Sequence, residues 1–168
     1  MGRRLGPQDY SARVGYRPPS PVYAWLNRHV GVPLSRLGWT PRGVVSLEVR
    51  GRTSGRTRAT PVVETQHRGH TYIVALAGEA QWVRNVRAAH GHAVLRRRRA
   101  RQVRLEELPV SERAPVIAAY LSQARDRGGE ASAEGQARSY FGLPPDAAVD
   151  DIAAVAGHYP VFRVRSRR

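Results

Sequence analysis

The stretch from residue 47 to residue 61 reads LEVRGRTSGRTRATP and predicts two strands joined by a basic turn. In the first strand, Val45, Leu47 and Val49 alternate with polar residues, which is the period of a half-buried strand. The chain leaves the turn through Pro61 and two valines, which start a second strand. A hairpin with a cationic turn is therefore the first element that this sequence defines.

The composition of this turn indicates a binding site for an anion. It contains three arginines, two hydroxyl side chains and two glycines, namely Arg52, Arg56, Arg58, Thr53, Ser54, Gly51 and Gly55. Glycines permit the backbone to aim several N–H groups at one point, and guanidinium groups surround that point with charge. The turn lacks the Gly-Lys-Ser/Thr of a Walker loop and the Gly-x-Gly of a Rossmann fingerprint. A solvated basic turn is the alternative interpretation.

A second motif follows the near-continuous apolar strand predicted over residues 71–77. Gly78 ends that strand, and a helix is predicted over residues 79–89, with Glu79 in its first turn, where a carboxylate suits the helix dipole. The sequence Trp-Val-Arg-Asn occupies residues 82–85 of this helix. A helix start at this place is a second site for an anion or a carbonyl, whereas core packing is the alternative for Trp82.

Together, these two stretches resemble the nitroreductase-like, deazaflavin-dependent oxidoreductases of actinobacterial type, which use coenzyme F420. The resemblance rests on Gly-Arg-x-Ser-Gly-x-x-Arg-x-x-Pro at residues 51–61, on Trp-Val-Arg-Asn, and on Pro-Val-Phe-Arg at residues 160–163. It covers residues 20 to 165. One position departs from the family pattern, because Thr53 stands where the family often has lysine. Binding of a phosphate would then depend more on the three arginines of the turn.

The resemblance implies a split β-barrel, a reduced deazaflavin as hydride donor, and a quinone, nitroaromatic or similar acceptor. The family's cofactor carries a phosphodiester and a polyglutamate tail, so it is anionic; FMN is the alternative cofactor, because split barrels serve both. The implied cofactor-binding residues are Arg52, Thr53, Ser54, Gly55, Arg56, Arg58, Pro61, Ala75, Leu76, Ala77, Trp82, Arg84 and Asn85. On the acceptor side we expect a phenol that donates to developing oxyanion charge, from Tyr120, Tyr140 or Tyr159. Core packing is the alternative for each tyrosine.

The overall pattern predicts an α+β fold with a mainly β core. Six short strands are expected, at residues 44–50, 59–65, 71–77, 92–97, 101–108 and 161–164. Helices are expected at 22–30, 79–89 and 112–125, the last stopped by Gly128-Gly129, with a helical turn at 147–156. Strands interrupted by helices in this order suit a small, mostly antiparallel barrel with surrounding helices.

Composition limits the classes of function. The chain of 168 residues has 28 arginines and no lysine, and its net charge of +15 favours an anionic partner, whether cofactor, nucleic acid or anionic lipid. A basic nucleic-acid-binding module, in which the barrel is only a scaffold, is therefore the alternative function to an oxidoreductase that binds F420 or FMN. The absence of cysteine excludes disulfides, thiolate catalysis and cysteine-ligated metals. We expect a flexible basic arm over residues 1–19 and one cofactor-binding domain over residues 20–168, acting as a monomer or a homodimer.

The remaining charged and titratable residues are mostly expected to be ordinary surface groups. The arginines at residues 96–99 fall where a hairpin tip is predicted, so a solvated tip is expected; contact with nucleic acid, lipid or the cofactor's tail is the alternative. Glu106 and Glu107 are expected to be ordinary solvated carboxylates. The six histidines show no metal-ligand spacing, so no metal is expected. With no signal peptide or membrane span recognised, we expect a cytoplasmic enzyme, weakly attracted to anionic membrane surfaces and not requiring nucleic acid.

Overall fold

A computed structural model describes residues 43–144 and 147–166. The basic arm predicted over residues 1–19 and the helix predicted over 22–30 lie outside these residues. The described strands are β1 (Val44–Arg50), β2 (Thr57–His67), β3 (His70–Val74), β4 (His92–Arg96), β5 (Ala100–Glu107) and β6 (Val161–Ser166). All six predicted strands are present.

The six strands form a closed barrel in the order β1-β2-β3-β6-β5-β4. Every neighbouring pair is antiparallel. The small antiparallel barrel that the sequence predicts is therefore confirmed. One predicted strand is too long, because β3 ends at Val74 rather than at residue 77. Beyond it, the N–H of Gly78 donates to the carbonyl of Ala75 at 2.9 Å and closes a turn.

The interior of the barrel is filled by the inward-facing residues of each strand. Leu47, Ile73, Leu95 and Val103 are almost completely removed from solvent and belong to one apolar cluster. Because successive side chains of a strand point to opposite faces, the neighbours of Leu47, Ser46 and Glu48, point away from the barrel interior. Burial of each such side chain contributes about 1.5–3 kcal/mol.

Helix α1 (Gln81–Ala88) packs its apolar face on this interior cluster. Trp82, Val83 and Val86 are its buried apolar residues. The helix begins after Ala80, so the expectation that Glu79 lies in its first turn is wrong. Glu79 instead precedes the helix and pairs with Arg87 in its last turn.

Helix α2 (Arg113–Gln136) follows a short 3-10 turn (Val110–Glu112) and is broken at Gly129. Gly129 has φ 75° and ψ −178°, a backbone conformation that is restricted almost entirely to glycine. The Tyr120 hydroxyl donates to the side-chain carbonyl of Gln136, which requires the chain to turn back at this break. The predicted interruption at Gly128-Gly129 is therefore present, although helical structure resumes beyond it.

A second apolar cluster lies between helix α2 and the outer face of β3. Phe141, in a π-helical turn (Ala137–Phe141), stands at its centre, with ring centroids 6.2 Å from Tyr120 and 4.7 Å from Tyr159. Tyr72 and Val74 of β3 join the same cluster. Helix α3 (Val149–Val155) and a 3-10 turn (Ala156–His158) complete the layer. None of the helices in the described ranges is long and apolar enough to cross a membrane.

Candidate functional site

The arginine turn, residues 51–56 between β1 and β2, is shaped by two glycines. The N–H of Gly51 donates to the carbonyl of Arg56, and the N–H of Gly55 donates to the carbonyl of Gly51, both at 2.8 Å. Gly55 has a φ of +67°, in the left-handed region that favours glycine. A Cβ at Gly51 would lie 2.9 Å from the Ser54 hydroxyl and 3.0 Å from the Arg56 carbonyl. The turn therefore requires glycine at residue 55 for the left-handed backbone conformation, and at residue 51 because a side chain would not fit.

Arg52 is held by two side-chain amides of α1, Gln81 and Asn85, which we call the amide clamp. Its guanidinium donates to Gln81 Oε1 at 2.8 Å and to Asn85 Oδ1 at 3.0 Å. Its backbone N–H also donates to Asn85 Oδ1, at 3.2 Å. Gln81 and Asn85 are four residues apart, so they share one face of the helix. The two motifs that the sequence singled out therefore meet in space, at Arg52.

The remaining polar residues of the turn lie at its surface. Thr53, Ser54 and Arg56 are exposed, and so is Arg58, which the structure places on β2 and not in the turn. The Ser54 hydroxyl accepts a long hydrogen bond of 3.4 Å from the Arg56 N–H. Within residues 43–144 and 147–166, no carboxylate forms a salt bridge with Arg52, Arg56 or Arg58. The turn therefore presents cationic groups whose charge no nearby carboxylate neutralises. Such an arrangement suits the binding of a phosphate or another anion.

The helix that carries the clamp adds a further cation to this surface. Arg84 is exposed on α1, between Gln81 and Asn85 in sequence, and forms none of the salt bridges found in the described part of the chain. Asn85, in contrast, is only 6% exposed. The buried amide positions the turn, while the exposed arginine remains accessible to a ligand.

The apolar residues predicted to line a ring slot are distributed over two parts of the fold. Trp82 is 9% exposed and packs on Phe162 with ring centroids 5.5 Å apart, so it belongs to the barrel core. Ala75 is fully buried in the same cluster, and Ala77 packs against it. Leu76 packs on the helical layer instead, and Pro61 is half-buried in β2. Contact of these residues with the cofactor ring stays a prediction.

The three predicted acceptor-side tyrosines lie together in the helical layer. Tyr120 and Tyr159 are buried, whereas Tyr140 is half-buried. The Tyr120 hydroxyl donates to Gln136, and the Tyr159 hydroxyl donates to the backbone carbonyl of Tyr140 at 2.5 Å. The structure thus brings the three residues together, and their role toward an acceptor stays a prediction.

Two other arginines, Arg87 and Arg113, are bound by the carboxylates of Glu79 and Glu107. We call these four residues the carboxylate network. Arg87 bonds to Glu79 and to Glu107, each at 2.7 Å, and Arg113 bonds to Glu107 at 3.0 Å. Glu107 is therefore not an ordinary solvated carboxylate, and that expectation is wrong. Its neighbour in sequence, Glu106, pairs with Arg165 at 2.9 Å near the surface.

The pKa values of Glu79, Arg87 and Arg113 are shifted by their surroundings. The hydrogen bond from Arg87 lowers the pKa of Glu79 below its ordinary value of 4.5. The hydrogen bonds to Glu107 and then to Glu79 raise the pKa of Arg87. Burial lowers the pKa of Arg113. The hydrogen bonds between Glu79 and Arg87 thus favour the ionised form of both side chains.

Sequence reasoning missed Gln81. The available signal was its spacing, because Gln81 and Asn85 occupy positions i and i+4 of a predicted helix and so share a face. Nothing in the sequence, however, pairs that face with the arginine turn. The contact depends on how α1 lies against β1, which only the folded barrel defines.

The closed antiparallel barrel, with a cationic turn that contacts its first helix, defines the class: a small antiparallel β-barrel protein. The family model of the F420H(2)-dependent quinone reductases matches residues 22–126. This match covers more than half of the chain, and the chain belongs to that family. It is an oxidoreductase, and coenzyme F420 is its cofactor.

Solved structures that resemble this chain do so at low identity. An F420-H2 dependent reductase (FDR-A) is 20% identical, with 74% of this chain and 95% of that chain covered and a TM-score of 0.43. The heme storage protein HutZ from Vibrio cholerae is 10% identical, with 89% and 90% covered and a TM-score of 0.46. The conserved hypothetical protein Rv2991 from Mycobacterium tuberculosis is 13% identical, with 93% and 85% covered and a TM-score of 0.44. No curated protein is significantly similar to this chain.

Proposed function

We propose that the arginine turn binds the anionic part of coenzyme F420 and so positions the cofactor for reduction of a quinone. The observation that carries this proposal is the hydrogen bonding of Arg52 to the amide clamp, which joins the two motifs of the family resemblance in one place. The residues present fit an anionic cofactor, because Arg52, Arg56 and Arg58 have no carboxylate partner within the described ranges. A carboxylate among them would have argued against a phosphodiester at this point.

The cofactor, when bound in its reduced form, supplies the hydride, so the protein needs no nucleophile of its own. The arginine turn contributes affinity and orientation. Its contacts lie on an anionic group that does not react, so they have the same strength in the ground state and in the transition state. Loss of a turn arginine should therefore raise the KM for the cofactor and leave kcat close to its original value.

Among the tyrosines, we propose Tyr140 for the acceptor side. It is half-buried, whereas Tyr120 and Tyr159 are buried in the helical layer, so its ring is the most accessible of the three. The bond from Tyr159 to the Tyr140 carbonyl holds the backbone that carries the Tyr140 ring. In this role the Tyr140 phenol donates to oxygen charge that develops on the quinone.

Cofactor titration tests the proposed function directly. The purified protein is mixed with F420 and, separately, with FMN, and binding is followed by absorption and fluorescence; quinone reduction by F420H2 is then measured at steady state. We expect saturable binding of F420, weaker binding of FMN, and turnover that requires both F420H2 and the quinone. Absence of F420 binding, or equal turnover with FMN, would overturn the proposal.

We also propose that the tip of the β4–β5 hairpin attracts the protein weakly to anionic membrane surfaces. Residues 97–99 are three exposed arginines in the turn that joins the two strands, while Arg96 at its edge pairs with Glu48 at 3.0 Å. Near an anionic lipid surface, each basic residue contributes about 1 kcal/mol. Single-stranded nucleic acid is the less favoured partner, because stacking on bases uses aromatic residues, which the sequence lacks beside the tip.

Vesicle sedimentation distinguishes these partners. Replacing the three tip arginines by glutamine should abolish binding to vesicles that contain phosphatidylglycerol, at low salt, without changing turnover of a water-soluble quinone. The matched control replaces three exposed arginines elsewhere, Arg68, Arg127 and Arg138, and so removes the same charge. Equal loss in both variants, or tip-dependent binding to single-stranded DNA alone, would contradict a local lipid contact.

A further inference from the structure

Arg52 differs from the arginines that form salt bridges in the described structure in the kind of acceptor that holds it. Among residues 43–144 and 147–166, six arginines form salt bridges with glutamates: Arg87, Arg96, Arg101, Arg113, Arg125 and Arg165. Arg52 has comparable hydrogen bonds, of 2.8 and 3.0 Å, but both acceptors are neutral amides. Its guanidinium is thus oriented without being neutralised.

The identity of residue 81 is unexpected from local stability alone. Gln81 is the first residue of α1, where a carboxylate interacts favourably with the helix dipole. A carboxylate there would also form an ion pair with Arg52, which lies within hydrogen-bonding distance of Gln81 Oε1. The first turn of α1 nevertheless contains no acidic residue, and Ala80 provides no side-chain cap. Two stabilising effects therefore favour glutamate at a position that holds glutamine.

We infer that Gln81 is a positioning residue whose neutral amide orients Arg52 while leaving its charge available to the anionic cofactor. This inference rests on the proposed function of the arginine turn. Asn85 fixes the backbone and one side of the guanidinium, since its Oδ1 accepts both the Arg52 N–H and a guanidinium N–H. Gln81 accepts from the same guanidinium nitrogen at the exposed side of the helix. Together they fix the direction of Arg52 without lowering its net charge.

The Gln81→Glu variant separates this role from a purely structural one. The substitution keeps an acceptor of nearly the same shape but neutralises Arg52, so we expect the dissociation constant for F420 to rise about tenfold. The KM for F420H2 should rise with it while kcat stays within twofold. The thermal midpoint should stay equal or increase, because glutamate suits both the helix start and Arg52. A structural role alone would predict unchanged or tighter binding.

The matched control is Gln123→Glu, which introduces the same charge on α2, in contact with Gln66 instead of the arginine turn. We expect its F420 affinity to stay within twofold of the original protein. A second variant, Gln81→Met, removes the acceptor without adding charge, and its affinity should fall about threefold, less than that of Gln81→Glu.

The outcomes separate the two proposals. If the original protein binds F420 but Gln81→Glu binds it equally well, the inference about Gln81 is wrong and the proposed function stands. If Gln81→Met weakens binding as much as Gln81→Glu, the charge argument is wrong. If the original protein does not bind F420 at all, the proposed function itself fails. The salt dependence of F420 binding provides a second readout, since its slope should decrease in Gln81→Glu only.

Discussion

Arg52 and Arg113 each make several hydrogen bonds, yet the two regions that hold them use their charge differently. Arg52 is exposed and is bound by the amides of Gln81 and Asn85. Arg113 is 7% exposed and bonds to Glu107 and to backbone carbonyls, including that of Leu108 at 3.0 Å. A carboxylate neutralises the cation inside the fold, whereas an amide only directs it. In this pair, the carboxylate-bound arginine lies inside the fold, and the amide-bound arginine keeps its charge exposed to solvent.

The position of the carboxylate network agrees with a structural role. Arg113 begins α2, Glu107 ends β5, and Arg87 lies in the last turn of α1. Arg113 also reaches the carbonyls of Ala156 and Gly157, at 3.5 and 3.4 Å. The network thus joins the barrel to three helical segments. The amide clamp joins only one turn to one helix, and it leaves that turn facing solvent.

The largest effect is expected from Arg113→Met. Removing this guanidinium leaves buried carbonyls without their donor and Glu107 with only Arg87, so the free energy of unfolding should fall by about 3 kcal/mol. Urea denaturation measures this change. The affinity of the folded fraction for F420 should stay within twofold. A decrease of less than about 1 kcal/mol in the free energy of unfolding would contradict the contrast between the two arginines, because the network would then not support the fold.

Arg52→Ala should show the reverse pattern. One charge-assisted bond to an anion contributes about 1.5–3 kcal/mol, so the affinity for F420 should fall about tenfold to a hundredfold. Stability should change by less than about 0.5 kcal/mol, as for most exposed positions. Calorimetric titration and urea denaturation measure the two quantities. The control is Arg125→Ala, an exposed arginine of α2 that pairs with Glu130; a similar loss of affinity there would indicate a general charge effect.

Gly51→Ala tests the shape of the arginine turn rather than its charge. The new Cβ would lie 3.0 Å from the Arg56 carbonyl, so the backbone of the turn must shift by a few tenths of an ångström. We expect the affinity for F420 to fall about threefold to tenfold while kcat is unchanged. Gly135→Ala is the matched control, because a Cβ there meets nothing within 4 Å. In a helix it should stabilise the protein by about 0.5–1 kcal/mol.

The smallest effect concerns pH and Glu79→Gln. Because the pKa of Glu79 is lowered in the folded protein, its ionised form stabilises the fold above its ordinary pKa of 4.5. That contribution is lost as the pH falls through the folded-state pKa. The variant should thus unfold at a slightly lower urea concentration at pH 7, and the difference should decrease as the pH is lowered below 4.5. A difference that is independent of pH would show that Glu79 acts through packing.

The sequence predicts the barrel well because its strands carry local signals. Alternation around Leu47 locates β1, and the basic turn after it places β2 as its antiparallel partner. The helix break at Gly129 was also predictable, because two consecutive glycines interrupt an apolar stripe. Glu79 was misplaced, because a helix boundary inferred from sequence is uncertain by a few residues and Ala80 is not a typical cap.

The candidate site was predictable only in part. The turn and the Trp-Val-Arg-Asn segment were recognisable, but their meeting at Arg52 depends on the packing of α1 against the barrel. Gln81 was missed, since a neutral amide on a polar helix face has no compositional signature. Glu107 was misjudged for a related reason. Its two arginine partners come from separate elements, α1 and α2, which no local pattern connects.

The order of strands in the barrel has a consequence for how the chain folds. Strand β6 lies between β3 and β5, and Val74 of β3 pairs with Val161. The hairpins β1–β2 and β4–β5 need only local contacts, but neither can complete the barrel. During synthesis on a ribosome, β3 therefore has one unpaired edge until residues 161–166 have been made. Such long-range pairing slows folding, and until it forms the unpaired edge of β3 is prone to aggregation. We therefore expect pairing of β6 with β3 and β5 to be the step that closes the barrel.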